Sequence, residues 1–79
     1  MTSLSMLTIL DLKGLKCPLP ALKARKALKG LAPGAEVEVL CTDPMAAIDI
    51  PNLVRETGDV LLDQSRADGV LRFVIRRAA

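Results

Sequence analysis

Glycine and proline residues divide this 79-residue chain into short segments, and this division limits the fold more than any other feature. Because both residue types interrupt regular structure, each segment is long enough for one helix or strand only. The clearest breaks fall at Gly14, Gly30, Gly58 and the pair Asp68-Gly69. A chain of this length also has room for only one core. We therefore expect a single domain over residues 1–79, with residues 1–5 as a disordered or loosely held N-terminus.

The first half of the chain has the periodicity of a strand, a helix and a second strand. Residues 7–12 form a short apolar run that is typical of a buried strand. Residues 18–31 carry apolar side chains at helical spacing. The predicted inner face of this helix comprises Ala21, Ala24, Leu28 and Leu31. The next segment alternates, which places Val37, Val39 and Cys41 on one face of a strand and glutamates on the other.

The second half predicts another helix and a β-hairpin. Asp43 is a favourable N-cap and Pro44 a favourable first residue, so we expect the second helix to begin there. Pro51 predicts a kink or a division into two short pieces, because an internal proline costs about 3 kcal/mol in an unbroken helix. The expected apolar side of this helix comprises Ile48, Leu53 and Val54. Two strands then follow, joined by a turn at Asp68-Gly69.

These elements predict an α+β fold of the order βαβαββ. A strand, a helix and a strand in succession favour a right-handed parallel unit, and the hairpin adds two antiparallel strands. We therefore expect a two-layer sandwich, in which a four-stranded mixed sheet is covered by two helices on one face. Hydrophobic residues make up 51% of the chain and aromatic residues 1%, so the core must be aliphatic and surround the single Phe73.

The composition excludes several classes of function. The chain has two cysteines and no histidine, so a Cys–His hydrolase lacks its base and a structural zinc site lacks its four ligands. We expect neither a metal nor a cofactor. The net charge of +2 does not indicate nucleic-acid binding, and no segment resembles a secretory signal or a membrane span. Free cysteines without an export signal indicate a cytoplasmic protein, and nothing in the chain demands a multimer.

Cys17 is the main candidate for chemistry. A residue before proline adopts extended geometry, so Cys17 is expected to cap the first helix, with Pro18 as the first helical residue. The positive end of the helix dipole would then favour the thiolate, the reactive form of cysteine. Pro20 has no N–H, which leaves the Leu19 amide as the expected donor to the sulfur. The alternative is that Cys17 is an inert capping residue, and spacing alone does not decide between the two.

A basic and apolar surface surrounds this cysteine. Leu19 and Leu22 fall outside the inner face of the helix and among its basic residues, which is typical of a docking surface for an acidic protein. The alternative is that both leucines pack beneath the loop around Gly14. The candidate partner-binding residues are Lys16, Leu19, Leu22, Lys23, Arg25 and Lys26.

Other polar residues have structural explanations. Cys41 continues the buried face of the second strand, so a core thiol is expected; a resolving thiol for Cys17 is the alternative. Asp43 and Asp49 lie near prolines and are interpreted as helix caps rather than metal ligands. The last strand carries basic residues without the aromatic residues that stack on bases, so we expect a solvated strand face. These basic residues are Arg72, Arg76 and Arg77.

The motifs "LDLKGLKCPLPALKARKAL", "LAPG", "VLCTDPMAAIDIP" and "GVLRFVIR" resemble the TusA-like, or SirA-like, sulfur carrier family over residues 10–77. The resemblance implies a βαβαββ sandwich, with a cysteine in the C-P-x-P motif as the reactive residue. This assigns Cys17 as the catalytic position, with Pro18, Leu19, Pro20 and Gly14 as motif residues that orient it. The chain departs from many members at Asp59, where they carry a histidine.

The resemblance also implies a sulfurtransferase-type carrier rather than a stand-alone enzyme. Cys17 would accept a sulfane sulfur as a persulfide from a cysteine desulfurase or rhodanese-like donor. It would pass this sulfur to an acceptor protein in tRNA thiolation, molybdenum-cofactor maturation or sulfur oxidation, without direct binding to nucleic acid or membrane. Two alternatives stay open: a small regulatory or RNA-binding module with an inert cysteine, and a thiol redox protein that uses Cys17 with Cys41.

Overall fold

The computed structural model describes residues 7–78 and contains six elements in the expected order. The expectation for residues 1–5 lies outside this part of the chain. The strands and helices are β1 (Leu7–Asp11), α1 (Leu19–Lys29), β2 (Glu36–Cys41), α2 (Ala46–Thr57), β3 (Val60–Ala67) and β4 (Val70–Arg76).

The strands form one four-stranded sheet in the order β1-β2-β4-β3. β1 and β2 are parallel, with Leu10 opposite Val39, as the βαβ unit requires. β4 is antiparallel to both β2 and β3. The mixed sheet and its two helices confirm the fold that the periodicity predicts.

The two faces of β2 confirm the predicted alternation. Val37, Val39 and Cys41 are buried on the helix side of the sheet. On the other side Glu38 pairs with Arg72 of β4 at 3.1 Å. The ion pair of Arg76 with Glu36, at 3.5 Å, lies on the same face. The solvated strand face is thus confirmed for Arg72 and Arg76, whereas Arg77 follows β4 and its guanidinium donates to the carbonyl of Leu28 at the end of α1.

Both helices bury an apolar stripe against the sheet, although that of α2 differs from the prediction. The core cluster includes Leu28 of α1, Ile50 of α2 and Phe73 of β4. Ile48 is 57% exposed, so its assignment to the inner side was wrong. The buried positions of α2 are Ala46, Ile50, Leu53 and Val54. Their spacing of three and four residues defines one helical stripe, and Ile48 falls outside it.

The helix boundaries also correct two expectations. α2 begins at Ala46 rather than at Pro44, because the residues before it form a turn in which Ala46 donates to the Asp43 carbonyl. Pro51 lies inside a continuous helix, so the expected division into two pieces was wrong. Burial of a Leu, Ile or Val side chain stabilises by about 1.5–3 kcal/mol. The buried residues on either side of Pro51 therefore outweigh the hydrogen bond that proline removes.

The hairpin turn confirms the prediction from Asp68-Gly69. Asp68 has a φ of 52° and Gly69 a φ of 78°, so both central residues occupy the left-handed region. A two-residue turn with this geometry matches the twist of the strands it joins. Aspartate and glycine tolerate positive φ better than other residues, which explains why this pair marks the turn.

Two isoleucines on α2 provide a matched test of the helix orientation. We expect Ile50→Ala to lower the free energy of unfolding by about 2–5 kcal/mol, because the side chain is fully buried. Ile48→Ala should change it by about 0.5 kcal/mol or less, since this side chain is exposed. Urea unfolding monitored by circular dichroism measures both values. Equal losses for the two variants would contradict the orientation described here.

Candidate functional site

The parallel pairing of β1 and β2 brings the loops before α1 and α2 together at one edge of the sheet. Hydrogen bonds join the two segments: Leu12 donates to the carbonyl of Leu40 in β2 at 2.8 Å, and the Gly14 amide donates to Thr42 Oγ1 at 2.9 Å. Gly14 has a φ of 87°, in the region that favours glycine. Gly14 thus ties the loop that contains Cys17 to the loop after β2.

Cys17 lies in a turn that precedes α1 and does not cap the helix. The Leu19 amide donates to the Lys16 carbonyl at 2.8 Å, and Pro18 occupies the N-cap position. The peptide bond between Cys17 and Pro18 is cis. The expected roles of Cys17 as the cap, Pro18 as the first helical residue and Leu19 as the donor to the sulfur were therefore wrong. Pro20 is buried at the start of the helix.

The Asp43 carboxylate holds the backbone of Cys17. Its Oδ2 accepts from the Cys17 amide at 2.5 Å, and its Oδ1 accepts from the Met45 amide at 3.1 Å. These two N–H groups lower the pKa of Asp43, the bond from Cys17 having the larger effect, and Lys16 acts in the same direction. Asp43 is the buried polar residue of the described chain, and it links the turn before α1 to the turn before α2. Asp43 thus makes the expected capping bond before α2, to the Met45 amide, and in addition bridges the two loops.

The Cys17 side chain is exposed, and its thiol donates to Asp49 Oδ2 at 3.2 Å. This hydrogen bond is the main cause of a raised pKa for Cys17. Desolvation and the charges of Asp49 and Asp43 act in the same direction. The expected shift toward thiolate was therefore wrong, because two carboxylates near the sulfur outweigh the helix dipole.

A groove of about 340 Å³ runs from Cys17 between the two helices. Two polar side-chain contacts span this groove. The Cys17 thiol, in the turn before α1, donates to Asp49 of α2, and Arg25 of α1 forms an ion pair with Glu56 of α2 at 3.0 Å. The paired residues are 32 and 31 positions apart, so the two helices run parallel from the same edge of the sheet. Leu22, Asn52 and Leu53 also line the groove.

Cys41 is a core thiol. Its side chain is fully buried, and burial raises its pKa to about 11, with Asp43 contributing further. Both cysteines are free. A resolving cysteine must become a thiolate and must reach its partner sulfur, whereas Cys41 points into the core and Cys17 toward Asp49. These observations favour the expected core role over the redox alternative.

The candidate partner-binding residues lie on two flanks of α1. Leu22 and Arg25 border the groove beside Cys17. Lys23 and Lys26 border a separate apolar groove of about 440 Å³ between α1 and β1. Leu19 is 44% exposed and Leu22 is 55% exposed, so their packing beneath the Gly14 loop is excluded. The structure therefore keeps Leu19, Leu22 and Lys16 near the sulfur and separates the other two lysines from it.

Sequence reasoning missed the roles of Asp43 and Asp49 at the sulfur. Both were interpreted as caps because each lies next to, or near, a proline. The parallel βαβ unit contained the missing signal, since it brings the end of β2 to the start of α1. Asp43, just beyond the end of β2, accordingly lies against the Cys17 turn.

Asp59 has a structural role. Its Oδ2 accepts from the Thr57 hydroxyl at 2.7 Å, and its Oδ1 accepts from the Ala78 amide at 2.8 Å. Asp59 thereby connects the end of α2 to the residues after β4. Within residues 7–78, no three His, Cys, Asp or Glu side chains form a group suited to a metal ion, and no helix has the length and apolarity to cross a membrane.

Comparisons with known proteins agree on one family. Residues 8–77 match the family described as "Sulfurtransferase TusA". A Neisseria meningitidis protein that is provisionally named a sulfur carrier is 49% identical over 67 residues, which cover 85% of this chain and 90% of the relative. Sulfur carrier protein TusA of Allochromatium vinosum is 35% identical over 69 residues, or 87% and 91% of the two chains.

A solved structure supports the fold. The SirA-like protein from Desulfitobacterium hafniense has a TM-score of 0.80 and 24% sequence identity, and the alignment covers 91% of this chain and 99% of that one. At this identity the likeness concerns the fold alone, and it agrees with the sheet and helices described above.

The bridge formed by Asp43 predicts a pH-dependent contribution to stability. A carboxyl whose pKa is lowered on folding stabilises the folded state above its ordinary pKa of 3.8, and this stabilisation is lost as the pH falls through the folded value. We therefore expect Asp43→Asn to be less stable than the wild type at pH 7, and the difference to shrink below about pH 4. Urea unfolding across this pH range measures the difference in the free energy of unfolding between the two proteins.

Thr42→Val is the matched control for this experiment. It removes the acceptor of the Gly14 amide in the same loop pair, but it removes no titratable group. Its loss of stability should stay constant between pH 7 and pH 3. An Asp43→Asn difference that is equally constant would refute the electrostatic role of the bridge.

Proposed function

Because the chain belongs to the TusA sulfurtransferase family and is a sulfur carrier, we propose that Cys17 is the residue that carries the sulfur, as a persulfide. Supporting this assignment is the contrast between the two cysteines. Cys17 is exposed at the mouth of a groove, whereas Cys41 is sealed in the core. A carrier must present its sulfur to two proteins in turn, so only an exposed sulfur can serve.

The turn around Cys17 suits this role because it holds the backbone and leaves the side chain accessible. The Asp43 carboxylate and the Lys16–Leu19 hydrogen bond restrain the main chain on both sides of the sulfur. No regular element covers the sulfur itself, which remains exposed. A fixed backbone with an accessible side chain lowers the entropic cost of aligning two sulfur atoms in a transfer complex.

Loading is a sulfur exchange without net oxidation. The Cys17 sulfur attacks the outer sulfur of a persulfide on the donor protein, and a new S–S bond forms. The S–S bond of the donor breaks, and its electron pair remains on the donor cysteine, which takes up the proton that Cys17 loses. Unloading repeats the exchange with Cys17 as the donor. Each step needs only the two cysteine side chains, so neither a metal nor a cofactor takes part.

A sulfur carrier requires a donor protein and an acceptor protein. We assign the donor to the class of cysteine desulfurases or rhodanese-like proteins, which form persulfides on their own cysteines. The acceptor belongs to tRNA thiolation, molybdenum-cofactor maturation or sulfur oxidation. The relay operates in the cytoplasm, where free thiols persist.

Leu19, Leu22 and Lys16 form the docking surface nearest to the sulfur in this proposal. Two exposed leucines beside a reactive group provide apolar contact area, and the lysine favours an acidic partner. Arg25 is already paired with Glu56 and so contributes less free charge than its sequence position suggested. Lys23 and Lys26 would contact a partner only if it also covered the groove beside β1.

Replacement of each cysteine tests the assignment of the sulfur-bearing residue. After incubation with a cysteine desulfurase and cysteine, we expect mass spectrometry to find one added sulfur atom on the wild type and on Cys41→Ala. Cys17→Ser should gain none, since a hydroxyl cannot form a persulfide. An internal disulfide would support the redox alternative, and an unmodified wild type would support a binding module; either result would refute the proposal.

A pair of leucine variants tests the docking surface. We expect Leu22→Ser to slow loading from a protein donor about fivefold or more, because truncation of an interface anchor costs about 1 kcal/mol or more. Leu62→Ser is the control, since Leu62 is also exposed but lies on β3. Loading assays with limiting donor protein, quenched at successive times, give the rates of both variants. Equal rates for the two variants would exclude Leu22 from the interface.

A further inference from the structure

The contact between Cys17 and Asp49 does more than orient the sulfur. We propose that Asp49 is a specificity-determining residue of sulfur loading: its carboxylate holds the thiol hydrogen of Cys17 and reserves this sulfur for a docked donor protein. The inference rests on the proposed function, because it assumes that Cys17 is the residue that is loaded. It adds a reason why an exposed thiol would not react with every small oxidant or persulfide in solution.

The geometry gives Asp49 a fixed position relative to the sulfur. Asp49 lies in the first turn of α2, and its neighbour Ile50 is fully buried in the core. The carboxylate is thus attached to a well-packed helix rather than to a loop. Its Oδ2 lies 3.2 Å from the Cys17 sulfur, and the Asp43 bridge holds the Cys17 backbone in place. Both partners of the hydrogen bond are therefore positioned by the fold.

The charged groups that border the sulfur are mostly carboxylates. From α2, Asp49 and Glu56 border the groove, and Asp43 faces Cys17 from the loop after β2. From α1, the Arg25 guanidinium borders the groove but pairs with Glu56. Lys16 precedes Cys17, and its charge lowers the pKa of Asp43. The group that contacts the thiol directly is thus a carboxylate, and the nearest α1 cation is engaged elsewhere.

A protonated Cys17 is a poor nucleophile. The thiolate, not the thiol, attacks electrophiles, persulfides and peroxides. The raised pKa of Cys17 lowers the thiolate fraction at neutral pH, by tenfold for each pKa unit. The unloaded carrier therefore reacts slowly with small molecules that do not contact Asp49.

A docked donor relieves this restraint. A partner that places a backbone N–H, an arginine or a lysine against the Asp49 carboxylate competes for the acceptor of the Cys17 hydrogen bond. It also offsets the negative charge beside the sulfur, which favours the thiolate. The proton that Cys17 loses then passes to the donor cysteine as its S–S bond breaks. Docking and activation are thereby coupled through one carboxylate.

Alkylation with iodoacetamide across a range of pH tests the inference, in a Cys41→Ala background so that one thiol reports. We expect Asp49→Asn to move the midpoint of the rate profile to lower pH and to raise the rate at pH 7 by about tenfold for each pKa unit. Asp63→Asn is the control, because it removes the same charge from an exposed position on β3, where Asp63 pairs with Arg72 and does not line the groove. Its profile should stay close to that of the background protein.

Loading supplies a second readout. With glutathione persulfide as the small-molecule donor, Asp49→Asn should load faster than the background protein. With a cysteine desulfurase as the donor, the loading rate of Asp49→Asn should rise less than it does with glutathione persulfide. The ratio of the protein-dependent rate to the small-molecule rate should therefore fall. A midpoint that is unchanged or moves to higher pH, or a ratio that does not fall, would overturn the role of Asp49.

Failure of the proposed function and failure of this inference give different results. If the unsubstituted protein gains no sulfur from the desulfurase, the proposed function fails; if it loads but Asp49→Asn behaves like Asp63→Asn, only this inference fails. Should Asp49→Asn fail to fold by circular dichroism, Asp49→Ala and the ultraviolet titration of the Cys17 thiolate in the Cys41→Ala protein replace it. A Cys17 titration at or below the ordinary pKa of 9.0 would likewise refute the inference.

Discussion

The site depends on the parallel pairing of β1 with β2. Parallel neighbours end at the same edge of a sheet, so the loops that follow them, and the helices that follow the loops, begin side by side. This is why Cys17 and Asp43 are 26 residues apart in the chain and hydrogen-bonded in the fold. The same pairing makes α1 and α2 parallel and opens the groove between them. A different strand order would disperse all of these groups.

At the sulfur, two electrostatic effects compete, and their magnitudes decide the outcome. The start of a helix corresponds to about half a positive charge, and this effect decays within the first turn. Asp49 contributes a full negative charge and a direct hydrogen bond at 3.2 Å, and Asp43 lies close by. Because Cys17 also lies outside the helix rather than at its cap, the carboxylates prevail. A raised pKa for Cys17 is the direction that the role proposed for Asp49 requires.

Several features could be predicted from local patterns, and others could not. Residues such as Val37, Phe73 and Gly69 were placed correctly because alternation and turn chemistry act between near neighbours in the chain. The positions of Ile48 and Pro51 were misjudged, because helix orientation and continuity depend on packing against the sheet. The start of α1 was misjudged for a related reason: the Asp43 carboxylate binds the Cys17 amide, and its position depends on a distant segment.

The sequence by itself determined the order of elements, the hairpin turn and the aliphatic core. Each of these follows from side-chain size, polarity or backbone preference within a few residues. Only the tertiary structure decided the direction of the pKa shift of Cys17, the bridging role of Asp43 and the position of Lys23 at a separate groove. These properties arise from charges and surfaces that meet across 26 to 32 residues of chain, and no local pattern records which of them become neighbours.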